Sequence, residues 1–231
     1  MAHHHEEHFK SPDFVKDIVI GMADGLTVPF ALAAGLSGAV DSGTIIITAG
    51  MAEIAAGSIA MGLGGYLAGR TEVDHYESEL QREYAEIEKF PEDEKTEVIE
   101  VLEQFGVTPK ASRDIVEEMA KDKDKWVTFM MRFELGLEKP DAKRATKSAF
   151  NIGAAYIVGG LVPLAPYFFD KDTHQALLIS VAVTLTALII FGFLKAKAIG
   201  QPPLMGAVKT AVIGALAAGA AYGLAHLFQV K

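Results

Sequence analysis

Two apolar runs near the N-terminus, residues 18–36 and 45–67, constrain this chain more than any other feature. Each run is long enough to cross a bilayer as a helix, because about 20 residues span the hydrocarbon core. Each run also contains one acid, Asp24 in the first and Glu53 in the second. A charged side chain at the centre of a bilayer costs roughly 2.5–3.5 kcal/mol on insertion scales. We interpret these acids as the lining of a route for a metal cation.

The charged residues are concentrated in one part of the chain. Half of the 231 residues are hydrophobic, yet 22% are charged and the formal net charge is −9. Residues 71–140 contain 20 acidic and 10 basic side chains, which accounts for the whole net charge. An acidic block in an apolar chain argues against nucleic acid as a partner and for cations. The chain has no cysteine, so thiolate metal sites and disulfides are excluded.

This pattern predicts an all-α integral membrane protein with five transmembrane helices and a small helical domain between spans 2 and 3. We divide the chain into a polar tail (1–12), spans 1 and 2 (13–70), an acidic helical domain (71–144) and spans 3–5 (145–231). Basic residues that flank the spans fall mainly on one side of the membrane. The positive-inside rule therefore places the N-terminus and the acidic domain in the cytosol, and the C-terminus on the opposite side.

Helical periodicity and the positions of proline and glycine predict the individual helices. Ser11 is the expected N-cap of the first helix, which runs from about 13 to 36. The second span is expected to continue beyond the apolar run as one long helix to Lys89. The other predicted helices are 91–105, 109–120, 125–137, 149–169, 176–194 and 205–228.

One face of the second span carries Glu53, Gly57 and Met61, which are spaced four residues apart. A carboxylate is a hard ligand and a thioether is a soft one, so the pair favours a borderline transition metal over Ca²⁺ or Mg²⁺. Carboxylates must lose their protons to bind metal, so loading an ion releases protons and couples the two fluxes. The alternatives are packing for Met61 and structural hydrogen bonds for the acids.

The acidic domain contains a second set of candidate metal ligands. Pairs of residues one helical turn apart occur on three of its predicted helices: Glu83 and Glu86, Glu94 and Glu97, and Met130 and Glu134. If these helices pack together, the carboxylates could converge on a metal cluster; alternatively, they form a solvated acidic face. A single Glu72-x-x-His75 motif leaves a membrane-anchored ferritin-like metal oxidase open, although that centre needs two copies. A metal sensor without transport is a further alternative.

Three segments carry a resemblance to a known family: DGLTVPFALAAGL at 24–36, EIAAGSIAMG at 53–62 and MMRFELGLE at 130–138. They closely resemble the vacuolar iron transporter family, in its plant-type branch with a cytosolic metal-binding insert. The resemblance covers the chain from about Phe9 onward. It implies a five-span homodimer in the vacuolar membrane with the ion route at the dimer interface and a lumenal C-terminus.

The resemblance also implies a function. Fe²⁺ would move from cytosol to vacuole in exchange for protons, with Mn²⁺, Co²⁺ and Zn²⁺ as further candidate ions, and the protein would be a transporter rather than an enzyme. It would have no prosthetic group, and its partners would be metal ions, protons, the lipid bilayer and a second copy of itself. The route would be lined by Asp24, Glu53 and Met61. The ligands of the insert would be Glu83, Glu86, Glu94, Glu97, Met130 and Glu134.

Overall fold

The computed structural model describes residues 12–170 and 172–227, and all regular secondary structure in these ranges is helical. Five of the helices, α1, α2, α6, α7 and α8, are long and apolar enough to cross a membrane. The all-α class and the predicted number of spans are therefore confirmed. The helices are α1 (Pro12–Ala39), α2 (Gly43–Lys89), α3 (Pro91–Gln104), α4 (Pro109–Met119), α5 (Lys123–Phe129), a π-helical turn (Met130–Glu134), α6 (Arg144–Phe169), α7 (Thr173–Ala198) and α8 (Pro203–Leu227).

Most helix boundaries follow from local sequence signals. The prediction of one long second helix is confirmed, since α2 is continuous over 47 residues. It ends just before Phe90, because the residue that precedes a proline is disfavoured in the helical conformation. Asp172 caps α7 by accepting hydrogen bonds from the backbone N–H groups of His174 and Gln175. Helix α1 extends to Ala39, beyond the predicted end at 36, and Ser11, its predicted N-cap, lies outside the described residues.

The predicted α-helix at 125–137 is wrong in its second half. Helix α5 ends at Phe129, and the next five residues form a π-helical turn. The wider turn is closed by a hydrogen bond of normal length, 3.1 Å, from the N–H of Leu135 to the carbonyl of Met130. Gly136 then adopts φ +65°, which reverses the chain at low cost only for glycine.

The chain divides into two compact units. The span unit comprises the chain up to Tyr66 and from Thr146 onward, and the acidic unit comprises Leu67–Ala145. The acidic unit buries an apolar core made by α2, α3, α4, α5 and the π-helical turn. Its buried members are Ile87, Val98, Val116, Trp126, Val127, Met130 and Met131.

The span unit has its own core, in which α6 packs closely against both α1 and α2. Its buried members are Phe30, Ala33, Ala34, Ile46, Ile54, Leu164, Tyr167, Ala176, Leu177 and Ala218. Glycines permit the close approach. A Cβ added at Gly21 of α1 would lie 2.2 Å from the carbonyl oxygen of Ile152 on α6. A Cβ added at Gly62 of α2 would lie 3.0 Å from the carbonyl oxygen of Ala149 on the same helix. Helix α6 is therefore positioned to contact side chains of both acid-bearing spans.

Candidate functional site

Glu53 lies inside the span unit and is hydrogen-bonded to a tyrosine of α6. The hydroxyl of Tyr156 bonds to Oε1 of Glu53. Tyr156 is only 2% exposed, so the bond is shielded from bulk solvent. Oε2 of Glu53 is also buried, and it has no hydrogen-bond partner among the described residues. One carboxylate oxygen is therefore hydrogen-bonded by the protein, while the other is a buried acceptor without a partner among the described residues, which a bound cation would stabilise.

Two glycines make room for Tyr156. A Cβ added at Gly57 of α2 would lie 2.4 Å from the Tyr156 hydroxyl oxygen, and one at Gly25 of α1 would lie 2.4 Å from the Tyr156 carbonyl oxygen. Both distances are below any normal van der Waals contact, so no larger residue fits without movement of the helices. Gly57 was predicted from sequence only as a close-packing position on the face of Glu53. The structure shows that Gly57 packs against the ring and hydroxyl of Tyr156.

Asp24 lies on α1 beside the glycine that packs against Tyr156. It is partly buried, it immediately precedes Gly25, and it interacts electrostatically with the Tyr156 side chain. Of the two acids predicted from separate spans, Glu53 is hydrogen-bonded to Tyr156, and Asp24 is near enough to interact with it electrostatically. Met61 is half-buried and lies on α2 two helical turns beyond Glu53, about 12 Å along the helix axis.

Two polar residues of the span unit were not predicted from the sequence: Tyr156, which is bonded to Glu53, and Asp17 on α1. Asp17 is 1% exposed and accepts hydrogen bonds from Ser148 Oγ at 2.9 Å and from Asn151 Nδ2 at 3.3 Å. It precedes Asp24 by seven residues, which places both acids on one face of α1. That spacing was visible in the sequence. The partnership between Tyr156 and Glu53 was not, because nothing local links the two residues.

In the acidic unit, five of the six predicted ligands form an electrostatic cluster. Glu83 and Glu94 are buried, and Glu134 is exposed yet close to the acids of α3. Burial, followed by the repulsion of neighbouring carboxylates, raises the pKa of Glu83 and Glu94 to about 7. Partial desolvation of the Glu134 carboxylate, followed by repulsion from Glu97 and Glu94, raises its pKa to about 7 as well, although the residue as a whole is exposed. The neighbours that produce this repulsion include Glu86 and Glu97. Three helices thus bring together acids that sequence reasoning could only pair within one helix.

This cluster fits a metal ion because it contains a buried carboxylate oxygen without a hydrogen-bond partner among the described residues. Oε2 of Glu83 is buried and lacks a hydrogen-bond partner within the described residues. A divalent cation would neutralise such a group and lower its pKa again. The carboxylates are not closed around one point, however: among the described residues, no three acidic or histidine side chains are arranged to hold a metal ion. Binding would therefore require the side chains to turn inward.

Met130 has a clear structural role. It is fully buried in the core of the acidic unit, and Met131 is 1% exposed beside it. The π-helical turn gives both side chains access to the same core. Burial explains a methionine at this position by packing alone. The ligand role of Met130 therefore stays a prediction.

Five membrane-length helices, with carboxylates hydrogen-bonded between three of them, define a multi-span membrane protein with ionisable groups among its spans. The VIT family matches residues 15–226 of the chain. The chain therefore belongs to the VIT family, which confirms the resemblance drawn from its sequence.

Proteins similar to this chain come from plants and from yeast. It is 53% identical over 229 residues to the Arabidopsis thaliana protein named Vacuolar iron transporter 1, covering 99% of this chain and 92% of the relative. The Oryza sativa subsp. japonica protein of the same name is 52% identical, covering 99% and 91%. Protein CCC1 of Saccharomyces cerevisiae is 38% identical, covering 91% and 68%. The names of the plant relatives agree with the prediction that this chain is a transporter and not an enzyme.

Proposed function

We propose that this protein moves Fe²⁺ from the cytosol into the vacuole in exchange for protons, with Asp24, Glu53 and Met61 lining the route. The observation that carries the proposal is the carboxylate of Glu53, whose buried Oε2 has no hydrogen-bond partner among the described residues. A carboxylate in that state binds either a proton or a cation. Metal loading therefore expels a proton, and protonation releases the metal. The plant relatives named as vacuolar iron transporters support iron as the cargo.

The acidic unit gathers ions before transport. Its ligands are Glu83, Glu86, Glu94, Glu97, Met130 and Glu134, and the raised pKa values of the three most strongly affected acids support a site that favours a counter-cation. The same hard and soft donor set accommodates Mn²⁺, Co²⁺ and Zn²⁺. In this proposal the acidic unit and the N-terminus are cytosolic, and the C-terminus is lumenal.

The functional form is a homodimer with the route at its interface. Support comes from the face of α2 that a single protomer leaves uncovered, where Ala52, Ala56 and Ala60 are exposed at successive turns. Small side chains allow close helix–helix approach in a membrane, where apolar burial alone supplies little driving force. Glu53 lies one residue from this face, so a partner there would lie beside the acid.

Reconstitution tests the route directly. Liposomes with an acidic lumen should take up Fe²⁺, and the same vesicles without a pH gradient should not. Asp24→Ala and Glu53→Ala should each reduce uptake to the level of protein-free vesicles. Glu77→Ala, which removes an exposed acid of α2 outside the predicted sites, is the matched control and should transport normally. Normal uptake by either route variant would contradict the proposed route.

The alternative functions, a ferritin-like metal oxidase and a metal sensor, share the acidic cluster but not the route. An oxidase would consume oxygen with Fe²⁺, would lose that activity in Glu83→Ala and would be indifferent to Asp24→Ala. A sensor would bind metal in the acidic unit while flux stayed at background. His75 of the Glu-x-x-His motif is exposed, and its ring lies 3.9 Å from Glu79, which gives the oxidase no specific support.

A further inference from the structure

Tyr156 has no role in the transport scheme above, yet its buried hydroxyl is bonded to Glu53, one of the two intramembrane acids. We propose that Tyr156 is a positioning residue: it holds Oε1 of Glu53 and thereby presents Oε2 to the passing cation. The inference rests on the proposed function, because it assigns to Glu53 a ligand role in the route. It adds a third helix, α6, to a route that sequence reasoning built from α1 and α2.

The tyrosine is packed closely against two helices, α1 and α2. Its carbonyl faces Gly25 of α1, and its ring and hydroxyl face Gly57 of α2, each within the space that a single methyl group would fill. One turn further along α6, a Cβ added at Gly159 would lie 2.9 Å from the backbone nitrogen of Leu26. The backbone and ring of Tyr156 therefore have little freedom to move. A hydrogen bond from such a donor fixes the direction of its acceptor.

The consequence for Glu53 is an asymmetric carboxylate. A phenol has one hydrogen to donate, and here it donates to Oε1. Oε2 remains buried without a partner in the described part of the chain. Without the tyrosine, the carboxylate could rotate and face either oxygen in either direction. With the tyrosine in place, a cation binds through Oε2 without further ordering of the Glu53 side chain. The hydroxyl therefore affects the affinity for the cation rather than the maximal rate of transport.

Helix α6 also supplies a matched control for the test. Tyr167 is 3% exposed, lies on the same helix, and pairs its hydroxyl with Ser37 of α1 at 2.8 Å. Its hydroxyl is bonded to neither acid. Replacing either tyrosine with phenylalanine removes one buried hydroxyl and one α6 hydrogen bond. Only the change at Tyr156 releases Glu53.

The experiment measures initial Fe²⁺ uptake into liposomes over a concentration series, for the full chain and for Tyr156→Phe and Tyr167→Phe. Loss of a hydrogen bond to a charged group should raise the apparent KM of Tyr156→Phe about fivefold or more. Its maximal rate should change less than about twofold, and both parameters of Tyr167→Phe should also stay within about twofold. An unchanged KM in Tyr156→Phe, or an equal KM change in both variants, overturns the inference.

Two further variants complete the test. Glu53→Ala in the same assay distinguishes failure of the proposed route from failure of the positioning role. Normal uptake by Glu53→Ala contradicts the route. Lost uptake by Glu53→Ala with an unchanged KM in Tyr156→Phe contradicts only the positioning role. Glu53→Asp shortens the acid by one methylene and withdraws it from the hydroxyl while both tyrosines remain. It should raise KM in the same direction even if Tyr156→Phe fails to fold, and an unchanged KM would again overturn the inference.

Discussion

At the scale of single residues, the unpaired carboxylate oxygens coincide with the predicted ligands. Three buried carboxylate oxygens lack a hydrogen bond in the described residues, and they belong to Glu53, Glu79 and Glu83. Glu79 is compensated by Arg82, whose guanidinium lies 2.6 Å from that oxygen. The remaining two belong to the two proposed metal sites. Burying an uncompensated polar group costs about 1–3 kcal/mol, which a bound cation would offset.

Gly57 is a sharp test of the geometry around Tyr156. We expect Gly57→Ala to destabilise the protein by about 1–3 kcal/mol and to reduce Fe²⁺ uptake, because the new methyl group would collide with the phenol ring and its hydroxyl. Thermal unfolding in detergent and liposome uptake measure the two effects. Gly223→Ala on α8 is the control, because nothing lies within 4 Å of a Cβ added there. Equal behaviour of the two variants would show that Tyr156 is not held against α2.

At the scale of helices, α3 distinguishes the acidic cluster from an ordinary charged surface. Glu94 is buried and lies close enough to Glu97, on the next turn, for the two carboxylates to repel each other. Glu100 and Glu103 on the same helix are exposed. The apolar face of α3, which includes Val98 and Val101, packs into the acidic unit. The helix therefore presents one pair of acids to the other acid-bearing segments and another pair to solvent.

Paired substitutions on α3 exploit this difference. The double variant Glu94→Ala and Glu97→Ala should weaken Mn²⁺ binding by the full-length protein about tenfold or more, equivalent to about 1.4 kcal/mol. Glu100→Ala with Glu103→Ala removes the same charge from the exposed side of the helix and should change binding less than about twofold. Calorimetric titration in detergent gives both affinities. Equal losses would mean that only net charge attracts the metal.

The acidic unit should also become less stable as pH rises in the absence of metal. The native acids hold protons up to about pH 7, whereas the unfolded chain releases them near the ordinary pKa of 4.5. The native state thus binds more protons over this interval, and its stability falls as pH rises from about 4.5 to 7 and then levels off. Hydrogen exchange of α3 in the full-length protein, corrected for intrinsic rates, measures the effect.

Metal should reverse this trend. At about pH 7.5, Mn²⁺ should restore the protection of α3, because the bound cation replaces the lost protons as the counter-charge. Magnesium at the same ionic strength controls for charge screening, since it binds poorly where soft donors contribute. Protection that increases with pH in metal-free protein would contradict the predicted repulsion among the acids.

At the scale of the whole molecule, charge and hydrophobicity are assigned to different units. The span unit contains most of the apolar sequence, and the acidic unit, with 21 acidic and 13 basic side chains, carries most of the formal net charge of −9. The long helix α2 contributes residues to both units, including Glu53 and Glu83, which carry the two unpaired oxygens. One helix therefore contributes a ligand to the proposed transport route and another to the proposed metal-gathering cluster.

The proposed homodimer predicts the effect of bulk on the exposed face of α2. Ala56→Leu should shift the detergent-solubilised protein from dimer to monomer and reduce uptake, because the larger side chain prevents close helix approach. Ala182→Leu, at an exposed alanine of α7, is the matched control and should remain dimeric. Light scattering coupled to size-exclusion chromatography reports the mass. A monomeric wild-type protein, or a dimeric Ala56→Leu variant with full uptake, would contradict this interface.

The sequence by itself determined the features that depend on local pattern: the five spans, the continuous α2 helix, the acidic segment, and the identity of Asp24 and Glu53 as acids in apolar helices. Only the tertiary structure decided the partner of Glu53, since Tyr156 is 103 positions away along the chain. It also decided the π-helical turn and the clustering of acids from different helices. Hydropathy and periodicity act between near neighbours, whereas these features arise when helices pack and buried groups must share a limited set of partners.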